Sequence, residues 1–253
     1  KFSILFDFIL DESQHFSILA DSADLANFKI TGSKENDIFK EYIKQINVLG
    51  GELNAIDNNF KNAKTKEDST SFRNKYIEKD KELKNKRKYF ATTYPNSMTS
   101  YFLEVMQRPE TPAIPIVKGK ADSTYPFFYV KNHFWDNVVF NDNRLLRTPF
   151  FEDKLDEYFK NYVSREPDSI IQEVQYMLSI AKTGKEIYPF LLFKFTNKYI
   201  NPEFMGQDKV FLHLFQNFFA KGDTSLLSAE SKKAITERAY SIMANQLGLM
   251  AAP

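Results

Sequence analysis

The stretch Phe39-Lys40-Glu41-Tyr42-Ile43-Lys44-Gln45-Ile46-Asn47-Val48-Leu49 opens a series in which Phe39, Tyr42, Ile46, Leu49, Leu53, Ile56 and Phe60 recur at spacings of 3, 4, 3, 4, 3 and 4. Alternating steps of three and four put successive side chains on one stripe of an α-helix, so this segment reads as a long helix with a narrow apolar seam. Gly32-Ser33 just before it supplies a breaker and an N-cap. After the polar stretch Asn62 to Thr70, a second series runs Phe72, Tyr76, Lys79, Leu83, Lys86 and Phe90 at spacings of 4, 3, 4, 3 and 4, with lysine at two of six seam positions. Two long helices therefore pair, and the short connection makes them antiparallel, with arms of roughly 40 Å at ~1.5 Å per residue. Gly50-Gly51 falls midway along the first arm and predicts a bend there.

Upstream, Phe2, Ile4, Phe6, Phe8 and Leu10 alternate with Ser3 and Asp7, which predicts a strand with one buried face. Asp11 to Gln14 reads as a turn into a second strand over His15 to Asp21, giving a hairpin, and Asn27 to Thr31 reads as a third strand. So small and apolar a meander needs further strands or a helix layer. The chain begins directly on it, at Lys1, so the expectation is the remnant of a larger β unit in a longer polypeptide.

Downstream of the arms, Tyr94-Pro95-Asn96-Ser97 ends the second helix and caps a short one through Gln107 that buries Met98, Phe102, Val105 and Met106. Pro109, Pro112 and Pro115, with Gly119, make Arg108 to Thr124 an irregular linker, after which the pattern is helical. Breakers at Gly184, Pro202 to Gly206 and Gly222-Asp223 separate helices near Asp168 to Lys182, Lys185 to Tyr199, Gln207 to Lys221 and Ser228 to Gln246. No fixed-period motif recurs, which favours an irregular bundle over a helical repeat. The fold class expected is mainly α: a long antiparallel helical hairpin and an irregular helical bundle, with a small N-terminal antiparallel β element. The divisions expected are 1–32 (β remnant), 33–93 (helical hairpin), 94–246 (helical domain with its linker at 108–124) and 247–253 (exit segment).

Composition mainly excludes chemistry. Among 253 residues, 34 Lys and Arg nearly cancel 33 Asp and Glu, so no global field draws the chain to nucleic acid or anionic lipid. The absence of cysteine excludes disulfides, thiolate metal sites and thiol nucleophiles from this stretch, and three scattered histidines argue against a His-rich metal cage. The longest apolar run, Ile187 to Phe193, is far short of the ~20 residues a membrane-spanning helix needs. Between Lys61 and Lys88 stand 11 basic and 5 acidic residues, but Asp80 with Lys84 and Glu82 with Lys86 form the i,i+4 pattern of a solvated helix face, so nucleic acid is not an expected partner. No Gly-rich phosphate loop, serine elbow or His-Glu-x-x-His motif is present. No cofactor is expected.

The densest aromatic cluster, Tyr125 to Trp135, contains Phe127, Phe128, Tyr129, His133 and the one tryptophan. As a surface it would stack sugars or bases, although aromatics at helical spacing are more often core. His133, Asp136 and Asp142 lie near Arg144 and Arg147, and would form an acid/base group if they converged in a cleft; a loop held by Arg–carboxylate pairs explains the same residues. The candidate interaction or ligand surface is thus Tyr129, His133, Trp135, Asp136, Arg144 and Arg147. His15 and His213 have no second ligand at i+4, so no metal site is assigned.

The run from Tyr129-Val130-Lys131-Asn132-His133-Phe134-Trp135-Asp136-Asn137 through Arg144-Leu145-Leu146-Arg147-Thr148-Pro149-Phe150, with Lys154, Leu155 and Tyr158, carries a resemblance. So do Tyr94-Pro95-Asn96-Ser97, Pro167-Asp168-Ser169-Ile170-Ile171 and Met205-Gly206-Gln207-Asp208-Lys209-Val210-Phe211. Together they resemble a helical domain of unknown function in envelope proteins of Gram-negative gut bacteria, over about Tyr89 to Gln246. In that family a thioredoxin-like module follows, and Leu247 to Pro253 resembles the junction into it; Phe6 to Asn36 is similar to the end of a β-rich domain that often precedes it. The resemblance implies that the parent polypeptide is an exported, periplasmic or envelope-associated, membrane-anchored thiol-disulfide oxidoreductase or relative. This chain lacks the Cys-x-x-Cys of that chemistry, so the expectation is a non-catalytic accessory region that positions the redox module or recruits its client. The alternatives are a helical hydrolase or lyase using His133, Asp136 and Arg147, and a glycan- or peptide-binding domain using the aromatics around Trp135.

Overall fold

The computed structural model describes residues 7–10, 15–21, 24–222 and 227–244, the side chains of 24–27 excepted. The expected strand residues Phe2 to Phe6, the turn at Asp11 to Gln14 and the exit segment 247–253 lie outside them. Among the described residues the chain is mainly α, with nine α-helices and a small antiparallel hairpin near its start. It divides into two compact units, 1–107 and 108–253.

In the first unit, strand β1 (Ser17–Asp21) pairs antiparallel with β2 (Asp24–Thr31), with an irregularity in register between Leu19 and Asp21. The second strand starts earlier than the alternation from Asn27 predicts, and it takes β1 as its partner. Residues 7–10 are not in a strand, and the burial phase is the reverse of the expected one. Ile9 is buried, while Phe8 and Leu10 are exposed. The cause is Asn36: its Oδ1 accepts from the Ile9 N–H at 2.8 Å and its Nδ2 donates to the Ile9 carbonyl at 2.8 Å. A buried side-chain amide thus replaces a neighbouring strand, satisfying both backbone groups of one residue.

Helix α1 (Lys34–Lys61) and helix α2 (Lys66–Thr93) are each 28 residues, about 42 Å at ~1.5 Å per residue. Ser33 caps α1 by accepting from the Asn36 N–H, and Thr65 caps α2 by accepting from the Asp68 N–H. Tyr42 packs on Phe90 (ring centroids 5.4 Å apart) and Glu52 bonds Lys79 at 2.7 Å, so rising numbers on one helix meet falling numbers on the other. The pair is antiparallel. At its base Tyr42, Phe90, Ala91 and Leu103 are buried together, and farther along α1 Leu49 and Leu53 are buried as well. Towards the loop, Phe60 and Tyr76 are exposed. Helix α1 runs through Gly50-Gly51 without interruption. The seam lysine, Lys79, holds Glu52 across the pair and Glu82 at 2.9 Å on its own helix, and these two hydrogen bonds raise its pKa.

Helix α3 (Met98–Met106) packs at that base and belongs to the first unit. Ser97 caps it, accepting from the Ser100 N–H at 2.9 Å. Glu35 completes the cap: one carboxylate oxygen accepts from the Met98 N–H (3.0 Å), the other from the Thr99 N–H (2.7 Å) and hydroxyl (2.7 Å). The first turn of a helix offers unpaired N–H groups and a positive dipole end, so a buried carboxylate is stabilised there.

In the second unit, residues 108–124 are irregular except for a two-residue hairpin, β3 (Ile116–Val117) with β4 (Lys120–Ala121). Its turn places Lys118 and Gly119 at φ of 50° and 77°, the two left-handed positions of a tight hairpin turn. Helix α4 (Tyr125–His133) follows, then a 3₁₀ turn at Asn143–Arg147, α5 (Phe151–Asn161), α6 (Pro167–Ile180), α7 (Ile187–Ile200), α8 (Asp208–Asn217), a 3₁₀ turn at Phe219–Lys221 and α9 (Ala229–Ala244). Helix α8 touches α6, α7 and α9 and buries Val210, Phe211, Leu212, Leu214 and Phe215, which makes it the centre of the bundle.

Candidate functional site

Helix α4 and the loop after it carry most of the candidate residues. The apolar side chains of α5 form the floor: Phe151, Leu155, Tyr158 and Phe159 are buried on one face at helical spacing. Trp135 is 8% exposed and sits on that floor, with ring centroids 5.1 Å from Phe134, 5.3 Å from Phe140 and 5.2 Å from Tyr158. Its indole N–H lies beside the Tyr158 hydroxyl but does not reach hydrogen-bond geometry with it. Tyr158 Oη donates to Glu173 at 2.7 Å, and burial followed by that carboxylate raises its pKa. Trp135 is therefore part of the core, with no face open for stacking a ligand. The exposed aromatics of this region are Tyr125, Phe127 and Phe128, at the start of α4.

The polar candidates divide into three separate pairs. His133 Nδ1 and Asp136 Oδ2 are 2.6 Å apart, and the imidazole lies on the Tyr129 ring at 4.3 Å between centroids. Arg144 binds Asp142: its Nη2 donates at 2.7 Å and its Nε at 3.0 and 3.2 Å, while Asp142 Oδ1 also accepts the Arg144 backbone N–H at 3.0 Å. Arg144 is the main reason Asp142 is held below the usual carboxylate range. Arg147 lies 3.7 Å from Glu186, with both groups well exposed.

Each pair fastens one part of the chain around Trp135. The first closes the end of α4, and the second caps the 3₁₀ turn. The third ties that turn to the start of α7, where Asn143 Oδ1 also accepts the Glu186 N–H at 3.2 Å. Close packing reinforces this junction, since a Cβ at Gly184 would stand 2.9 Å from the Phe140 carbonyl oxygen.

Two concave surfaces lie elsewhere. A groove of about 850 Å³ is lined by the first turns of α7 with Phe219, Leu227, Ser228 and Ser231. A smaller one of about 370 Å³ lies among Pro202 to Asp208 and Arg238. None of the six candidate residues lines either. Among the described residues no group of three or more His, Asp or Glu side chains is arranged to hold a metal ion. No described helix is long and apolar enough to cross a membrane.

One residue of chemical interest is not among the sequence candidates. Lys154 is fully buried on the apolar face of α5, between Phe151 and Leu155 in the helical series, and its Nζ lies 5.2 Å from the Phe134 ring centroid and 5.5 Å from that of Trp135. Burial first, and the Arg108 charge second, push it down to about 7; Glu157 and Asp136 act in the opposite direction. The sequence signal is legible in retrospect: a lysine occupies a position where the 3-4 spacing of α5 calls for an apolar side chain.

This geometry defines a helical module whose charged side chains fasten loops around an aromatic core. The family model described as a domain of unknown function, DUF5106, matches residues 56–245, three quarters of the chain, and the chain belongs to that family. Among curated proteins and among solved structures there is no match.

Proposed function

We propose that this chain is a non-catalytic accessory module of an exported, envelope-associated thioredoxin-like oxidoreductase, positioning the redox module or recruiting its partner. One observation carries the reading. Side chains suited to chemistry are used as struts around Trp135, whereas large apolar side chains face solvent close together in sequence: Ile114, Ile116, Val117, Tyr125, Phe127 and Phe128. Exposed apolar residues so concentrated on a linker and the helix after it are characteristic of a docking surface. The sequence resemblance to the region preceding a thioredoxin-like module gives that surface its expected partner.

The test is site-specific photo-crosslinking from position 128 of the full-length parent protein in envelope fractions. The expected result is an adduct with a thioredoxin-fold polypeptide or an internal crosslink to such a module. If the crosslinker reacts only with solvent, or equally from the solvated position Lys81, the docking reading is wrong.

A further inference from the structure

The groove beside α7 combines an apolar lining with a cationic end. Among its lining residues Leu192 and Phe219 are buried, Phe190 is half-buried and Phe193 is exposed. Its volume of about 850 Å³ falls in the range of sites for small organic molecules, on the order of 300–1,000 Å³, which pair apolar walls with a few polar groups. The charged groups come from the turn between α6 and α7, where Lys182 and Lys185 both line the groove. From Ile187, the first residue of α7, to Phe193 the helix advances roughly 9 Å at ~1.5 Å per residue, so cationic and apolar parts succeed one another along one axis.

That turn is held in place. The Gly184 N–H donates to the Ala181 carbonyl at 2.8 Å, a Cβ at Gly184 would stand 2.9 Å from the Phe140 carbonyl oxygen, and Asn143 Oδ1 accepts the Glu186 N–H. Neither lysine takes part in an ion pair among the described residues. Glu186, the one carboxylate among the described lining residues, lies 3.7 Å from Arg147. Ser228 Oγ accepts the Ser231 N–H at 3.1 Å and donates to Ser231 Oγ at 3.0 Å, so this hydroxyl is engaged within its own helix start. A neutral apolar ligand would leave both lysines unused, and a small inorganic anion would leave the aromatic lining wet. A molecule with an anionic head and a hydrocarbon chain satisfies both.

We propose that this groove binds one free long-chain fatty acid, its carboxylate at Lys182 and Lys185 and its chain against Phe190, Leu192, Phe193 and Phe219. The site does not depend on the accessory-module reading, because none of its lining residues belongs to the linker or to α4.

Titration of the intact chain with a conjugated polyene fatty acid, whose emission rises in apolar surroundings, tests the site below the micellar concentration. The expected result is a saturable rise at one molecule per chain, reversed by palmitate. Hexadecanol and hexadecyltrimethylammonium should displace the probe about tenfold less well or worse. Lys182→Glu combined with Lys185→Glu should weaken the probe by about tenfold or more, whereas Lys81→Glu on α2 should leave it unchanged. Phe193→Ser, at an exposed position, should weaken the probe and palmitate alike. The proposal is overturned if no saturable signal develops, if the three head groups compete equally, or if the double charge reversal leaves affinity unchanged. A dimer that dissociates in Phe193→Ser and excludes the probe would assign the groove to a second copy of the chain and equally overturn it. Should the double variant fail to fold, the head-group series on the wild-type chain decides alone.

Discussion

A fully buried lysine is a cost to the native state, and the size of the cost depends on pH. Lys154 has an ordinary value near 10.5 when unfolded and about 7 when folded, so between those limits the unfolded chain binds more protons and stability rises with pH. Below about 7 the penalty is fully present; above about 10.5 it is gone. Replacing Lys154 by methionine, similar in length and apolar, is expected to stabilise the chain at pH 7 by about 1–4 kcal/mol. Urea unfolding at several pH values checks this: the advantage of the variant should be constant below about pH 7 and shrink steadily towards pH 10. The exposed pair of His133 and Asp136 behaves differently, since solvent screens it. His133→Ala should change stability by about 1 kcal/mol or less in the same measurement.

At the scale of elements, the long helices were legible in the sequence because their seam repeats without a break and both N-caps are local, Ser33 and Thr65. Gly50 and Gly51 both lie within the unbroken α1, and nothing stands within 4 Å of where a side chain would be at either. The N-terminal strand could not be phased from alternation, because the group that pairs with Ile9 is a side chain 27 residues away. For the same reason the cap that Glu35 makes on α3, 63 residues downstream, leaves no local pattern to read. Glu35→Ala leaves the Met98 and Thr99 N–H groups without that acceptor and should cost about 1–3 kcal/mol in chemical denaturation, whereas Glu35→Gln should recover part of the loss. Within the arms, Phe90→Ala removes a ring that is 2% exposed and should cost about 3–5 kcal/mol, while Tyr76→Ala towards the loop should cost under about 1.

For the whole molecule, the mainly α architecture followed from apolar spacing and from the positions of proline and glycine, which act over a few residues. The use of the candidate residues did not. Sequence proximity of His133, Asp136, Arg144 and Arg147 fits a shared cleft and a set of loop fastenings equally well, and only partner identity separates them: Asp136, Asp142 and Glu186 each take a different side chain. The placement of Trp135 was similarly open until Phe140 and Tyr158 were seen to enclose it. Burial of the one indole predicts blue-shifted emission that acrylamide quenches only weakly in the folded chain and strongly in urea.

The charged residues around Trp135 are proposed to fasten structure and to carry out no reaction. The most direct measurement is a turnover screen of the purified chain against hydrolase, lyase and disulfide-reductase substrates, run alongside His133→Ala, Asp136→Ala and Arg147→Ala. No turnover above background is expected from any of the four proteins. Turnover by the wild-type chain that is lost in the three variants while they remain folded would contradict it.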